Sequence, residues 1–223
     1  MLCLALAAIV AAAPAQAACK LALALGLDVS SSVDADEYRL QLEGLAAALT
    51  SPQIVDAILR PEGAHIVAAA YEWSGYKHQA LLIDWTVLDS PAAVASFANR
   101  LSARERTQAN LATALGKGVE FGARLLQRAP NCARYTIDIS GDGLNNDGVG
   151  PQYFVREGLL DGTTVNGLVI RGAVPDPVSY YRKHVQHGPD AFVIVADGFS
   201  DYRQAMEEKL LREIDAQLVI GRR

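Results

Sequence analysis

Every position from Leu21 to Leu27 is apolar, and the run stops at Asp28, as expected for a strand buried on both faces of a parallel sheet. A helix is predicted to start near Asp34. That Asp can cap it, Glu37 stands three residues on, and Val33 and Tyr38 are placed as a hydrophobic staple. Tyr38, Leu42, Leu45 and Leu49 then mark one helical face. His65–Trp73 and Ala80–Val87 read as two strands joined by the turn-prone Ser74-Gly75-Tyr76-Lys77, a hairpin that makes one edge strand antiparallel. Helical patterns follow at Pro91–Leu101 and Leu111–Leu126. Tyr135–Ser140 is the next strand, ending in the turn-rich Gly141-Asp142-Gly143-Leu144-Asn145-Asn146. Val165–Ile170 and Ala191–Val195 complete six strands, with a helix around Pro177–His187 between them. The last helix is Ser200–Leu218, where Met206, Leu210 and Ile214 repeat every four residues. This alternation is the pattern of an α/β fold: a doubly wound, mostly parallel sheet with helices on both faces. No internal repeat or second domain is visible.

Composition narrows the picture. A chain of 223 residues with 51% hydrophobic and 20% charged content buries one proper core, which excludes a disordered or low-complexity architecture. The net charge of −5, with no basic run, argues against a nucleic-acid partner. Residues Met1 to Cys19 are uncharged, and the apolar stretch Leu2–Ala13 precedes Ala15-Gln16-Ala17, a small-x-small cleavage pattern. Residues 1–17 are read as a signal peptide and 18–223 as a single domain, periplasmic or secreted; the alternative is an uncleaved anchor. No other segment is long enough to span a membrane. Removal of the signal leaves Cys19 and Cys132 in an oxidising compartment.

The candidate chemistry sits at Asp28-Val29-Ser30-Ser31-Ser32. A turn after the first strand puts Asp28, Ser30 and Ser32 around one point, and a carboxylate with two hydroxyls suits Mg²⁺, Mn²⁺ or Ca²⁺. Asp142, just past another strand end, would bring a second carboxylate to the crevice where open α/β sheets bind ligands. Taken alone, a Ser-rich turn reads equally well as a cap of the next helix. Asp138-x-Ser140-x-Asp142-Gly143 mimics the start of a Ca²⁺ loop, but its twelfth position is Val149. His184 and His187 read as a solvated helix face, Tyr180 to Lys183 as an exposed helix end, and Trp73 and Trp85 as packing residues. The four histidines, His65, His78, His184 and His187, are expected to lie away from the strand-end loops. With no Ser/His/Asp or Cys/His arrangement visible, the chain is not expected to be an enzyme.

Asp28-x-Ser30-x-Ser32, Thr113 in Asn110-Leu111-Ala112-Thr113-Ala114-Leu115-Gly116, and Asp142 in Ile139-Ser140-Gly141-Asp142-Gly143 together resemble the metal-ion-dependent adhesion site (MIDAS) of von Willebrand factor type A (VWA) domains. The resemblance spans about residues 19 to 218. Ser140-Gly141-Asp142-Gly143-x-Asn145-Asn146, Glu72-Trp73-Ser74 and the tail from Ala191-Phe192 to Glu213 are similar to a secreted bacterial subgroup classed as a domain of unknown function (DUF1194-like).

The resemblance implies a VWA/Rossmann-like sheet of order 3-2-1-4-5-6. It also implies a divalent cation held by Ser30, Ser32 and Thr113, with Asp28 and Asp142 acting directly or through water, and Mg²⁺ (or Mn²⁺/Ca²⁺) as the cofactor. Thr107 is the rival for the Thr position; Thr113 is preferred because it opens a helix. A partner protein's Asp or Glu carboxylate would complete the coordination. The implied strand order places Cys19 and Cys132 at the same end of adjacent strands, so a Cys19–Cys132 disulfide is expected. The expected function is a metal-dependent adhesion-type binding module; the competing readings are a metal-dependent hydrolase and a structural domain with a stabilising ion.

Overall fold

The computed structural model describes residues 18–106 and 112–215. The expected signal peptide (residues 1–17), Thr107 and the end of the last expected helix lie outside the described residues. Six strands, β1 (Ala18–Asp28), β2 (Ala64–Trp73), β3 (Gln79–Leu88), β4 (Tyr135–Gly141), β5 (Thr164–Ile170) and β6 (Val193–Ala196), form one sheet of order β3-β2-β1-β4-β5-β6. Only β2 and β3 pair antiparallel; every other pair is parallel. The expected sheet, its order and its antiparallel edge are all present.

One face is covered by α1 (Ala35–Leu49), α2 (Pro52–Leu59), α3 (Pro91–Ser102) and α7 (Tyr202–Ile214). The other is covered by α4 (Leu115–Leu126), α5 (Pro151–Arg156) and α6 (Val178–His184). The capping box expected at α1 forms, with Asp34 accepting from Glu37 N and Glu37 accepting from Asp34 N. The short helices α2 and α5 were not expected; each follows Ser51 or Gly150 with proline at its first position, where a missing N–H costs nothing.

The side chains of β1 explain how the two layers seat. Leu21, Leu23, Leu25 and Leu27 enter the α1/α7 side, while Ala22 and Ala24 face the α4 side. Fully burying each leucine contributes roughly 1.5–3 kcal/mol. The small residues leave room for two aromatic side chains of β2. A Cβ on Gly26 would lie 2.5 Å from the Tyr71 hydroxyl oxygen, and one on Gly118 of α4 would lie 2.8 Å from the Trp73 ring. Helix α4 therefore packs closely through glycine over Tyr71 and Trp73, both wholly buried. At the amino ends of β1 and β4, Cys19 and Cys132 form the expected disulfide, with Cα atoms 4.6 Å apart. Among the described residues no single helix is long and apolar enough to cross a membrane.

Candidate metal centre

The carboxyl end of β1 pairs one residue past the strand, Val29 N donating to Trp73 O at 2.9 Å, and then turns sharply. Ser30 N donates to Asp28 Oδ1 at 2.7 Å, a side-chain-closed turn of the kind Asp favours. The turn brings Ser30 Oγ and Ser32 Oγ to 3.2 Å of one another. Ser32 Oγ in turn donates to Asp142 Oδ1 at 2.7 Å, joining the loop after β1 to the loop after β4. The loop is held from behind: Gln41 Nε2 donates to Asp28 O, and Arg106 Nη2 to Val29 O and Ser30 O.

Thr113 does not open a helix. Helix α4 begins two residues later, at Leu115, and Thr113 sits in the segment before it, 4% exposed. Two asparagines set that segment in place. Asn146 Oδ1 accepts from Thr113 N while Asn146 N donates to Thr113 O, and Asn145 Oδ1 accepts from Gly116 N. Ala114, the residue capping α4, provides no side-chain bond, so Asn145 satisfies a first-turn N–H from another loop. A Cβ on Gly143 would stand 3.4 Å from Thr113 Oγ1, which places the Thr hydroxyl beside the Asp142 loop. The sequence contained this signal in Asn145-Asn146, read there only as turn residues.

Burial raises the Asp28 carboxyl to about 7, with the nearby Asp142 adding to the effect. Burial also raises Asp142, against the lowering bond from Ser32. Asp28 Oδ2 is buried without a hydrogen-bond partner. The donor set is all oxygen, and among the described residues no three His, Cys, Asp or Glu side chains cluster. Such a set suits a hard cation such as Mg²⁺, Mn²⁺ or Ca²⁺.

The structure brings Asp28, Ser30, Ser32 and Asp142 together and sets Thr113 against the same loops. Two expectations change. His78 does not lie away from the strand ends: it closes the β2–β3 turn, where Ser74 O accepts from Ala114 N, and its Nε2 lies 3.0 Å from the buried Glu72 Oε1. The cause is the antiparallel hairpin, which returns the chain at the site's own edge. Tyr181 does not sit on an exposed helix end; it is wholly buried, because α6 lies flat on β5. Asp138, which begins the rejected Ca²⁺-loop pattern, points into the core and pairs with Lys209 Nζ at 2.7 Å.

The parallel sheet with a hairpin edge, wrapped on both faces and carrying these residues at the strand ends, is the fold of von Willebrand factor type A domains. Residues 18–218 match the family model described as "Protein of unknown function (DUF1194)", and the chain belongs to that family. No curated protein matches it. Among solved structures, proximal thread matrix protein 1 from the mussel byssus superposes with a TM-score of 0.66 at 12% identity, covering 90% of this chain and 49% of that one. The same protein has a structure described as having a "zinc occupied MIDAS motif" (TM-score 0.61, 13% identity, coverage 90% and 49%). The von Willebrand factor type A protein from Catenulispora acidiphila gives 0.59 at 16% identity (88% and 43%). The pilus adhesin SpaC from Lactobacillus rhamnosus GG gives 0.62 at 11% identity (89% and 31%). This chain thus spans less than half the length of each.

Proposed function

We propose that the chain is a secreted, divalent-metal-dependent protein-binding module. In this reading Ser30, Ser32 and Thr113 supply hydroxyl ligands, and Asp28 and Asp142 supply carboxylates, directly or through water. The observation that carries it is the convergence of Ser30 Oγ, Ser32 Oγ and Asp142 Oδ1 beside the orphaned Asp28 Oδ2. A bound cation supplies localised positive charge to a set that is otherwise only acceptors and hydroxyls. Five such side chains leave an octahedral ion short of protein ligands, so a partner's Asp or Glu carboxylate is the natural completion. The oxygen set favours Mg²⁺, Mn²⁺ or Ca²⁺. The zinc-occupied motif of the byssus protein and the adhesive role named for SpaC support the same reading. A periplasmic or extracellular location agrees with the Cys19–Cys132 bond.

Calorimetric titration of Mg²⁺, Mn²⁺ and Ca²⁺ into the metal-stripped protein tests the site. Stoichiometric binding by the wild type, lost in folded Asp28→Ala and Asp142→Ala variants, is the expected result; binding retained in both variants sinks the assignment. A hydrolytic use of the crevice would draw on His78, held by Glu72. Metal-dependent turnover of an ester or phosphoester that His78→Ala abolishes would displace the binding reading.

A further inference from the structure

Behind the proposed ligands lies a buried tyrosine with no role in the reading above. Four tyrosines are among the largest wholly buried side chains, and three have partners: Tyr38 donates to Glu72 Oε2, Tyr71 to Gly118 O, and Tyr202 shares a bond with Ser140. Tyr181 does not; its hydroxyl is buried without a hydrogen-bond partner, like Asp28 Oδ2. The two atoms converge. A Cβ on Gly141 would stand 2.7 Å from Asp28 Oδ2 and 2.7 Å from the Tyr181 hydroxyl oxygen. A second glycine admits the ring, since a Cβ on Gly167 of β5 would lie 2.8 Å from Tyr181 Cδ1.

Both glycines occupy the middle sheet strands β4 and β5, where glycine weakens a strand and marks the close approach of another group. A ring buried only for packing is better served by phenylalanine, because an unpaired buried hydroxyl carries a desolvation cost. The hydroxyl at position 181 is therefore explained by an acceptor, and Asp28 Oδ2 is the unpaired acceptor at that spot.

We propose that Tyr181 is a positioning residue of the metal centre, its phenol donating to Asp28 Oδ2 when that carboxylate faces a cation. The bond forms by a small rotation of the carboxylate or through one water. Asp28 is then held at Oδ1 by Ser30 N and at Oδ2 by α6, and each oxygen keeps a further lone pair for the ion or its waters. The proposal rests on the metal-binding reading.

The test is Mg²⁺ titration of the metal-stripped wild type, Tyr181→Phe, Asp28→Asn and the double variant, with near-ultraviolet difference spectra recorded alongside. Tyr181→Phe removes one oxygen and keeps the ring, and the metal-free variant should melt no lower than the wild type. Its Mg²⁺ affinity should fall about tenfold, equivalent to about 1.4 kcal/mol, and the tyrosine difference band that Mg²⁺ induces in the wild type should vanish. In the Asp28→Asn background the same substitution should change residual affinity less than twofold, because the donor has lost its charged acceptor; a merely structural role would give additive losses. If the wild type binds Mg²⁺ and Tyr181→Phe matches it in affinity and spectrum, the role of Tyr181 falls while the site stands. If the wild type does not bind, both readings fall. Should Tyr181→Phe melt early, Gly167→Ala, which displaces the ring and keeps the hydroxyl, must still weaken Mg²⁺ binding for the proposal to survive.

Discussion

Two aspartates on neighbouring strands share one perturbation and differ in whether a basic side chain answers it. Burial pushes the carboxyl of Asp28 on β1 up to about 7 and also raises that of Asp138 on β4, where Lys209 opposes the rise and Glu213 adds to it. Asp138 has Lys209 Nζ at 2.7 Å, the same ammonium lies 2.7 Å from Glu213 Oε1, and Asn166 Nδ2 donates to that oxygen at 2.9 Å. Asp28 forms no ion pair with any described basic side chain; the charged neighbour that moves it is Asp142, of its own sign. The first cluster brings its counter-charge from α7, so its role ends inside the fold. The second is rich in acceptors and opens at the strand ends through the exposed Ser32, so in the proposed reading its balance comes from a bound cation. Burial of a carboxyl does not by itself mark a binding site; how the charge is answered does.

The comparison is broken most severely by Lys209→Met. Removing the ammonium leaves two buried carboxyls unanswered, and denaturant titration should show a loss of about 3–5 kcal/mol. Asp142→Ala should abolish metal binding with a far smaller change in stability. Conversely, at a cation concentration 100 times its dissociation constant, the wild type should gain about 2.7 kcal/mol. Asp142→Ala should gain nothing, and Lys209→Met, where still folded, should keep the gain.

Acid–base behaviour tests the Asp28 side of the comparison. A carboxyl raised in the folded state binds more protons there than in the unfolded chain between pH of about 4 and 7, so stability falls as pH rises through that window and levels above it. In the metal-free protein, Asp28→Asn should remove its share of that slope. The variant should match the wild type below about pH 4 and exceed it above pH 7 by an amount on the order of 1–3 kcal/mol. A variant no more stable than the wild type at pH 8 would contradict an unanswered charge at Asp28. The smallest effect is expected from Ser32→Ala: folding within about 0.5 kcal/mol of wild type, with a measurable loss of metal affinity in the same calorimeter.

The parts of the chain that were legible without coordinates were those with local signals. Leu21–Leu27 is apolar without a break, and Asp28, Ser30 and Ser32 lie within one turn of chain. What escaped depends on distant partners. Lys209, between Met206 and Leu210, looks like a solvated helix position until Asp138, from another strand, is found beneath it. Tyr181 sits in a run with Arg182 and Lys183 that reads as surface, and only Gly141 and Gly167 together reveal the slot that takes its ring. Asn145 and Asn146 look like turn residues because turns use Asn for its own backbone; here their side chains serve Gly116 and Thr113 some 30 residues away. The short helices α2 and α5, of eight and six residues, are too short to show a period.

The disulfide between Cys19 and Cys132 also sets how the domain carries mechanical load. It joins the amino ends of β1 and β4, which run parallel at the centre of the sheet. A pull applied at the amino end of β1 enters at Cys19 and divides at once between two strands. Tension is then borne lengthwise, in shear across their shared hydrogen bonds and those to β2 and β5, instead of peeling β1 away one bond at a time. The loops bearing Asp28 and Asp142 lie at the far ends of the same two strands, so a load applied at the base is passed to both loops together.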